Sequence, residues 1–440
     1  MGQFFRSERG QRTAWYLYDF GNSAYAAVVL LAIYSAYFKD GVVGGAEGSR
    51  LWGIAVAAAM LVTAFISPVL GAVADRLAVK KRMLAIFTAI SVAFTGCLFF
   101  VGNGDVFTGM LFFILAEIGY RAAQVYYDAL LPEIAPRSEL GSVSGRGWAI
   151  GSLGGVLCLA VVLPLVVLVG GNFVLRLTMV ITAVWYLAFA LPLFFFVEEK
   201  ARPRPLAPGE SVWTIGFRQL WSTIRRLRDH REYVKFMVAF ILFNDGVMIA
   251  LDFAAIIGAV LYGFARDQLI VLIILVQLTN VAGAWAFGRM TDRMSAKSAL
   301  GLSLVVMIGA VLWLAVNGDP AMFYVICSVA GFAIAGLQSV SRSMVAKLVP
   351  AGRSGEFFGL FAVAGRSSSV VGPFLFGLAA ADGAAWYAAH GLNAHSAEQA
   401  GMRLAIYVIL AFLVVGGVLL AFVREDEGAA AAEAHAKASA

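Results

Sequence analysis

The sequence predicts an all-α membrane protein of twelve transmembrane helices in two pseudo-symmetric six-helix bundles. Three observations carry this expectation. Of the 440 residues, 61% are hydrophobic and only 14% are charged, against about 45–50% apolar and about 25% charged in soluble domains. The apolar residues gather in runs of the length a bilayer core requires, roughly 20 residues each. A short motif, Gly71-x-x-x-Asp75-Arg76 followed by Lys80, Lys81 and Arg82, returns as Gly288-x-x-x-Asp292-Arg293 followed by Lys297. The two aspartates stand 217 residues apart, close to half the chain. A membrane chain that repeats at half its length is a duplicated bundle, a common basis of alternating-access pores.

In order, the first six spans are expected near 13–37, 51–74, 83–102, 107–131, 143–170 and 173–197. The second six are expected near 234–263, 268–290, 298–317, 320–345, 356–380 and 401–423. The chain therefore divides into a first bundle (1–197), a linker (198–233), a second bundle (234–423) and an Ala-rich tail (424–440) expected to be mobile. The linker carries Pro203, Pro205 and Pro208, then Trp213, Trp221, Arg225, Arg226 and Arg228. Its later part has the makings of an amphipathic surface helix.

Lys and Arg crowd into alternate loops: Arg6, Arg9 and Arg12; Arg76 to Arg82; the linker; Arg289 to Lys297; Lys347 and Arg353. By the positive-inside rule these loops and both termini face the cytoplasm, as in an inner-membrane protein. The net charge of +6 is a topology signal and no footprint for nucleic acid. Cys97, Cys158 and Cys327 lie far apart inside apolar runs and read as packing residues. The start of the chain, polar and basic up to Arg12, does not resemble a removable signal peptide.

Twelve spans, a long middle loop and the doubled Gly-x-x-x-Asp-Arg motif resemble the major facilitator superfamily. A narrower match lies in Trp15-Tyr16-Leu17-Tyr18-Asp19-Phe20-Gly21-Asn22-Ser23-Ala24-Tyr25. This stretch is similar to the first helix of the autophagy-related vacuolar effluxers, also called unknown major facilitators. Glu356-Phe357-Phe358-Gly359-Leu360, Gly365-Arg366-Ser367-Ser368-Ser369 and Gly372-Pro373 resemble that family's eleventh helix. The family usually has Ala at Gly21 and often Lys at Arg366. The resemblance implies a facilitator fold and, from fungal members linked to amino-acid efflux from the vacuole, solute export. The motif residues Asp75, Arg76, Asp292 and Arg293 read as a latch that pairs or caps helices when the pore is closed on one side. The alternative is a purely topological signal, which suffices for the lysines.

Charges at membrane depth cost at least about 2.5–3.5 kcal/mol each, so each calls for a reason. Glu117, Arg121, Gln124 and Asp128 share one stripe of the fourth span. Glu117 and Arg121 stand at the i,i+4 spacing of a helical ion pair. Asp19 and Asn22 lie on one face of the first span. Asn244, Asp245 and, two turns on, Asp252 lie on the seventh. Arg366, followed by three serines, falls mid-span in the eleventh, and Arg342 sits opposite Asp128 when the two repeats are aligned.

These spacings name candidates for three roles. Arg121, Arg366, Glu117, Asn22, Tyr18 and Tyr120 are candidate substrate ligands, with guanidinium groups suited to a carboxylate. Asp19, Asp245 and Glu117 are candidate proton carriers. Asp75, Arg76, Asp292, Arg293, Asp128 and Arg342 are candidate gates. For each buried charge the alternative is helix packing. The Gly145-x-Gly147-x-x-x-Gly151-x-x-Gly154-Gly155 run reads as a close-packing surface.

No nucleotide-binding Gly-x-x-x-x-Gly-Lys-Ser/Thr stretch, histidine cluster or nucleophile–base set is readable, so no cofactor, metal or enzymatic activity is expected. The expected function is secondary active transport of a small polar metabolite, an amino acid or short peptide, by a monomer that couples protons to alternating access and exports its solute. A drug or lipid-like effluxer is the alternative within transport. A membrane sensor or scaffold that keeps the fold without moving solute is the alternative of another class.

Overall fold

The computed structural model describes residues 7–201, 203, 218, 221, 225, 227–367 and 371–439. The linker's expected amphipathic helix falls almost wholly outside them.

Every regular element described is helical. The main helices are α1 (Glu8–Tyr25), α2 (Gly45–Leu77), α3 (Lys80–Cys97), α4 (Val106–Ala129), α5 (Leu140–Pro164), α6 (Gly171–Phe196), α7 (Arg231–Tyr262), α8 (Arg266–Arg293), α9 (Ala296–Val316), α10 (Pro320–Leu348), α11 (Ser354–Ser367), α12 (Val371–Ala389), α13 (Ala394–Ala421) and α14 (Glu425–Ser439). Among the described residues, eleven helical segments are long and apolar enough to cross a membrane. They coincide with eleven of the expected spans. The remaining one, 356–380, falls on α11 and α12, with residues 368–370 outside those described. The loop expected over 381–400 shrinks, because α12 runs to Ala389 and α13 starts at Ala394, capped by Asn393.

The helix ends follow local chemistry. Ser7 caps α1 through Gly10 N, Ser295 caps α9 through Ser298 N, and Asp319 caps α10 through Ala321 N with Pro320 in the first turn. Beyond Tyr25 the first span continues as two wide π-type stretches, Ala26–Ala32 and Tyr37–Val43, around the short helix Tyr34–Ala36. Tyr34 and Tyr37 pin this irregular part by donating to Gly109 O and Val101 O at 3.1 and 2.9 Å. Large apolar side chains stay exposed along helix faces, as in the α5 stripe Leu153, Leu157 and Val161, which suits a lipid solvent.

The chain forms two compact units. The first comprises Met1–Arg137, Arg146–Arg225 and Pro350–Ala362; the second comprises Ser138–Gly145, Arg226–Val349 and Val363–Ala440. Each unit thus holds most of one sequence repeat and a short piece of the other. Within the first, α1 packs on α6, and α3 packs on both α4 and α6. Within the second, α7 and α12 pack on α13, and α10 packs on α8 and α9.

The tail, expected to be mobile, has regular structure. Residues Glu425–Ser439 form a helix, and its first residue is tied down: Glu425 accepts from Ala296 N and Lys297 N at 3.2 and 2.7 Å and pairs with Lys347 at 2.9 Å. Among the tail's scattered charges, Glu425 is a half-buried anchor.

Candidate functional site

In the first unit, α1 turns a polar stripe inward. Tyr18 is fully buried, and its hydroxyl bonds Thr88 Oγ1 on α3 at 2.7 Å and Tyr186 on α6 at 2.8 Å. One turn on, Asn22 is 0% exposed, and neither amide atom has a hydrogen-bond partner among the described residues. Next comes Tyr25, stacked on Tyr120 of α4 at 4.7 Å. Glu117 is fully buried and pairs with Arg121, which is one quarter exposed. Asp19, on the neighbouring face of α1, packs against Gly151 of α5, where an added Cβ would strike the carboxyl group. Trp15, Tyr126 and Tyr127 are buried packing residues. Trp15 stacks on Tyr127 at 4.3 Å and donates to its carbonyl at 3.0 Å.

In the second unit, α7 presents Asn244 and Asp245, both buried. Asn244 accepts from Gln338 at 2.9 Å and donates to the Gly365 carbonyl near the end of α11 at 3.4 Å. Asp245 accepts from Gly372 N, in the first turn of α12, at 3.0 Å. Adjacent side chains of α7 therefore hold a carbonyl on one side of residues 368–370 and an amide on the other. The backbone of Arg366 lies in α11; its side chain is outside the described set. Asp252 is exposed, and Phe253 packs on Phe376. An open groove of about 670 Å³ on this unit is lined by Leu242, Leu375, Asp382 and Tyr407 among others and includes none of the site candidates.

The motif carboxylates cap helices from the other sequence repeat. Asp75 accepts from Gly355 N and Glu356 N at 2.9 and 2.8 Å, in the first turn of α11. Asp292 accepts from Gly141 N and Ser142 N, both at 2.9 Å, in the first turn of α5. A carboxylate there meets both the orphan amides and the positive end of the helix dipole. The approach demands glycine: a Cβ on Gly71 would overlap the Gly355 carbonyl, and Gly145 and Gly288 meet just as closely. Arg76 is buried at Nε without a hydrogen bond, and Arg293 is exposed. Arg342, 4% exposed, donates to Ser144 Oγ and Ser144 O at 2.9 and 2.7 Å. Asp128 is half-buried in the first unit.

A family model described as vacuole effluxer Atg22 like matches residues 52–433. The chain belongs to this Atg22-like family. It is 26% identical over 427 residues to an uncharacterized MFS-type transporter, YxiO, of Bacillus subtilis, covering 94% of this chain and 95% of the relative. It is 27% identical over 296 residues to autophagy-related protein 22 of Yarrowia lipolytica, covering 59% of this chain and 49% of the longer fungal protein. Among solved structures, the human organic anion transporter MFSD10 matches with a TM-score of 0.71 at 14% identity, over 94% of this chain and 99% of that one. A bacterial homologue of the iron transporter ferroportin, in an outward-facing state, matches at 0.68, also at 14% identity, over 94% of this chain and 98% of that one. At that identity the likeness establishes the major facilitator fold alone. The protein is thus a multi-pass MFS-type transporter of the Atg22-like family.

Several residues of this Atg22-like chain escaped the sequence reading. Lys80, for which a topological role sufficed, is fully buried and bridges Asp75 at 3.1 Å and Glu133 at 2.6 Å. Glu199 accepts from Lys80 N and Lys81 N at 3.0 and 3.1 Å, capping α3 as Glu425 caps α9. Lys81 donates to Val197 O and Lys297 to Ala421 O, both at 2.7 Å. Burial pushes the Glu199 carboxyl above the ordinary range, opposed by those two amides and by Lys80. The signal was available: Glu199 and Glu425 each follow the last span of a repeat.

Proposed function

We propose that this transporter moves a small zwitterionic or anionic metabolite, an amino acid or short peptide, out of the cell through proton-coupled alternating access. In this reading it works as a monomer in the cytoplasmic membrane with both termini inside. The observation that carries the reading is the Glu117–Arg121 pair. A fully buried carboxylate bound to a partly exposed guanidinium, beside the stacked Tyr25 and Tyr120, offers complementary charge to a zwitterion. A solute carboxylate competes with Glu117 for Arg121, and the released Glu117 takes up a proton or the solute's ammonium group. Tyr18 and Asn22 support this wall. Arg366 is the second carboxylate ligand, and Asp19 and Asp245 are further proton carriers.

The caps made by Asp75 and Asp292, with Arg76, Arg293, Asp128 and Arg342 at the same ends of their helices, act as the latch. They release the first turns of α11 and α5 when the transporter switches. Several charges at membrane depth argue against a drug or lipid-like effluxer, whose pocket would be largely apolar.

A thermal-shift screen of purified protein against amino acids, dipeptides and organic acids tests the substrate class. A ligand that binds the native state raises apparent stability by mass action. The reading requires stabilisation by a carboxylate-bearing solute that is lost in Arg121→Ala. Stabilisation by apolar cations alone would replace it with the effluxer reading.

A further inference from the structure

The interior of the first unit holds more polar side chains than its own packing satisfies. On α1, Tyr18, Asn22 and Tyr25 share a face; on α3, Thr88, Ser91 and Thr95 do the same. Both helices start at one end of the unit, where Arg12 donates to Ile134 O and Lys80 binds the neighbouring Glu133. The Tyr18–Thr88 bond fixes the first rung. Asn22 and Ser91 then fall one turn further along, and Tyr25 and Thr95 another turn beyond. At this last level the Tyr25 hydroxyl faces Glu117 without completing a well-formed hydrogen bond.

Along this column, Asn22 Oδ1 and Nδ2, Ser91 Oγ and Thr95 Oγ1 are buried with no partner among the described residues, and Tyr25 OH and Glu117 Oε2 have only each other. All five residues are at most 1% exposed. Left dry, each such group is destabilising, because it has given up its hydrogen bonds to water. Protein interiors usually meet such groups with ordered water that makes about three hydrogen bonds. The fold itself does not call for polar groups here. Glu199 and Glu425 cap α3 and α9 in the same way, which fixes an offset of 216 residues between them. At that offset, Thr88, Ser91 and Thr95 become Leu304, Met307 and Val311, all buried. The duplicated helix packs with an apolar stripe where α3 carries hydroxyls.

We propose that a file of bound waters occupies the interior of the first unit, held by Asn22, Tyr25, Ser91, Thr95 and Glu117, and conducts protons between Glu117 and the Tyr18–Thr88–Tyr186 cluster. Its presence stands on the geometry; its use rests on the proton-coupled reading above. Each water or hydroxyl accepts a proton on one lone pair and releases its own to the next, so no charge other than the proton moves. Asp19, close enough to Tyr18 and Tyr186 to act on both electrostatically, receives the proton at the far end.

Hydroxyl-radical footprinting of the purified full chain tests the waters, because radicals generated from bound water modify buried side chains beside it. Tyr34 is the control, being equally buried but bonded to Gly109 O within an aromatic cluster. Tyr25 should be modified about tenfold faster than Tyr34, as expected beside ordered water. In Asn22→Leu/Ser91→Ala/Thr95→Val the rate should fall to the control level. If that variant does not fold, Ser91→Ala/Thr95→Val, which follows the apolar pattern of α9, replaces it. Tyr25 labelling no faster than Tyr34 overturns the proposal.

Proteoliposomes loaded with a pH dye test the conduction. The Ser91→Ala/Thr95→Val variant should keep solute exchange without a gradient while solute-linked proton flux drops by about tenfold or more. Undiminished proton flux in the variant removes the conducting role even where the labelling holds. Absence of solute-linked proton flux in the wild type, with Tyr25 still labelled, sinks the proton-coupled reading and leaves the waters in place.

Discussion

Lys80 shows how much one buried side chain carries. Its ammonium group sits between Asp75 and Glu133, with both it and Asp75 1% exposed at the side chain. Removing one partner of a buried ion pair strands the other charge, at a cost of about 3–5 kcal/mol. Lys80→Met should therefore lose stability on that order in chemical unfolding in mild detergent. Adding Glu133→Gln should recover part of it, since one stranded charge is then gone. A Lys80→Met variant as stable as wild type would show that water or ions already screen this cluster. The sequence revealed only that a lysine follows Asp75. Burial of Lys80 depends on Glu133 and Glu199, which lie 53 and 119 residues away, and no local pattern links them.

Helices of this chain begin on borrowed carboxylates. Glu199 caps α3, Asp292 caps α5, Glu425 caps α9, Asp75 caps α11, and Asp245 reaches the first turn of α12. A capping carboxylate is typically worth about 0.5–2 kcal/mol. Glu425→Ala should weaken the first turn of α9 by about 1 kcal/mol and free α14, seen as faster amide exchange at Ala296, Lys297 and the tail. Exchange unchanged at both places would mean that the Lys347 pairing and apolar contacts suffice. Spans and their order were legible because hydrophobic run length is a local property. The caps were half legible. The repeated Asp75 and Asp292 stood out, whereas the helices they cap, whose donor amides lie 280 and 151 residues away, share no local pattern with them. On α1 the spacing grouped Asn22 with Asp19, whereas Asn22 shares the inward face with Tyr18 and Tyr25 and Asp19 packs beside it against Gly151. The hydroxyls of α3 were not legible, since Thr88, Ser91 and Thr95 read as ordinary residues of an apolar span until the Tyr18 bond placed them opposite it.

For the whole molecule, the latch and the proton carriers make separable demands. Asp75→Asn and Asp292→Asn keep an acceptor at the helix end but remove the charge that matches the helix dipole. Each should slow transport several-fold, in line with the roughly 1 kcal/mol of a charge–dipole contact, while leaving solute affinity in thermal-shift titration unchanged. Normal rates in both variants would remove these residues from gating. Failure of either to reach the membrane folded would favour a packing role.

Proton coupling itself is decided by one reconstitution. Wild-type protein in liposomes, with the solute found by thermal-shift screening, should accumulate it against its gradient when an imposed pH gradient drives it, and lose that accumulation when a protonophore is added. Asp245→Asn should still exchange solute between the two sides but should not accumulate it. Accumulation by Asp245→Asn equal to wild type, or wild-type accumulation indifferent to the protonophore, would contradict the account.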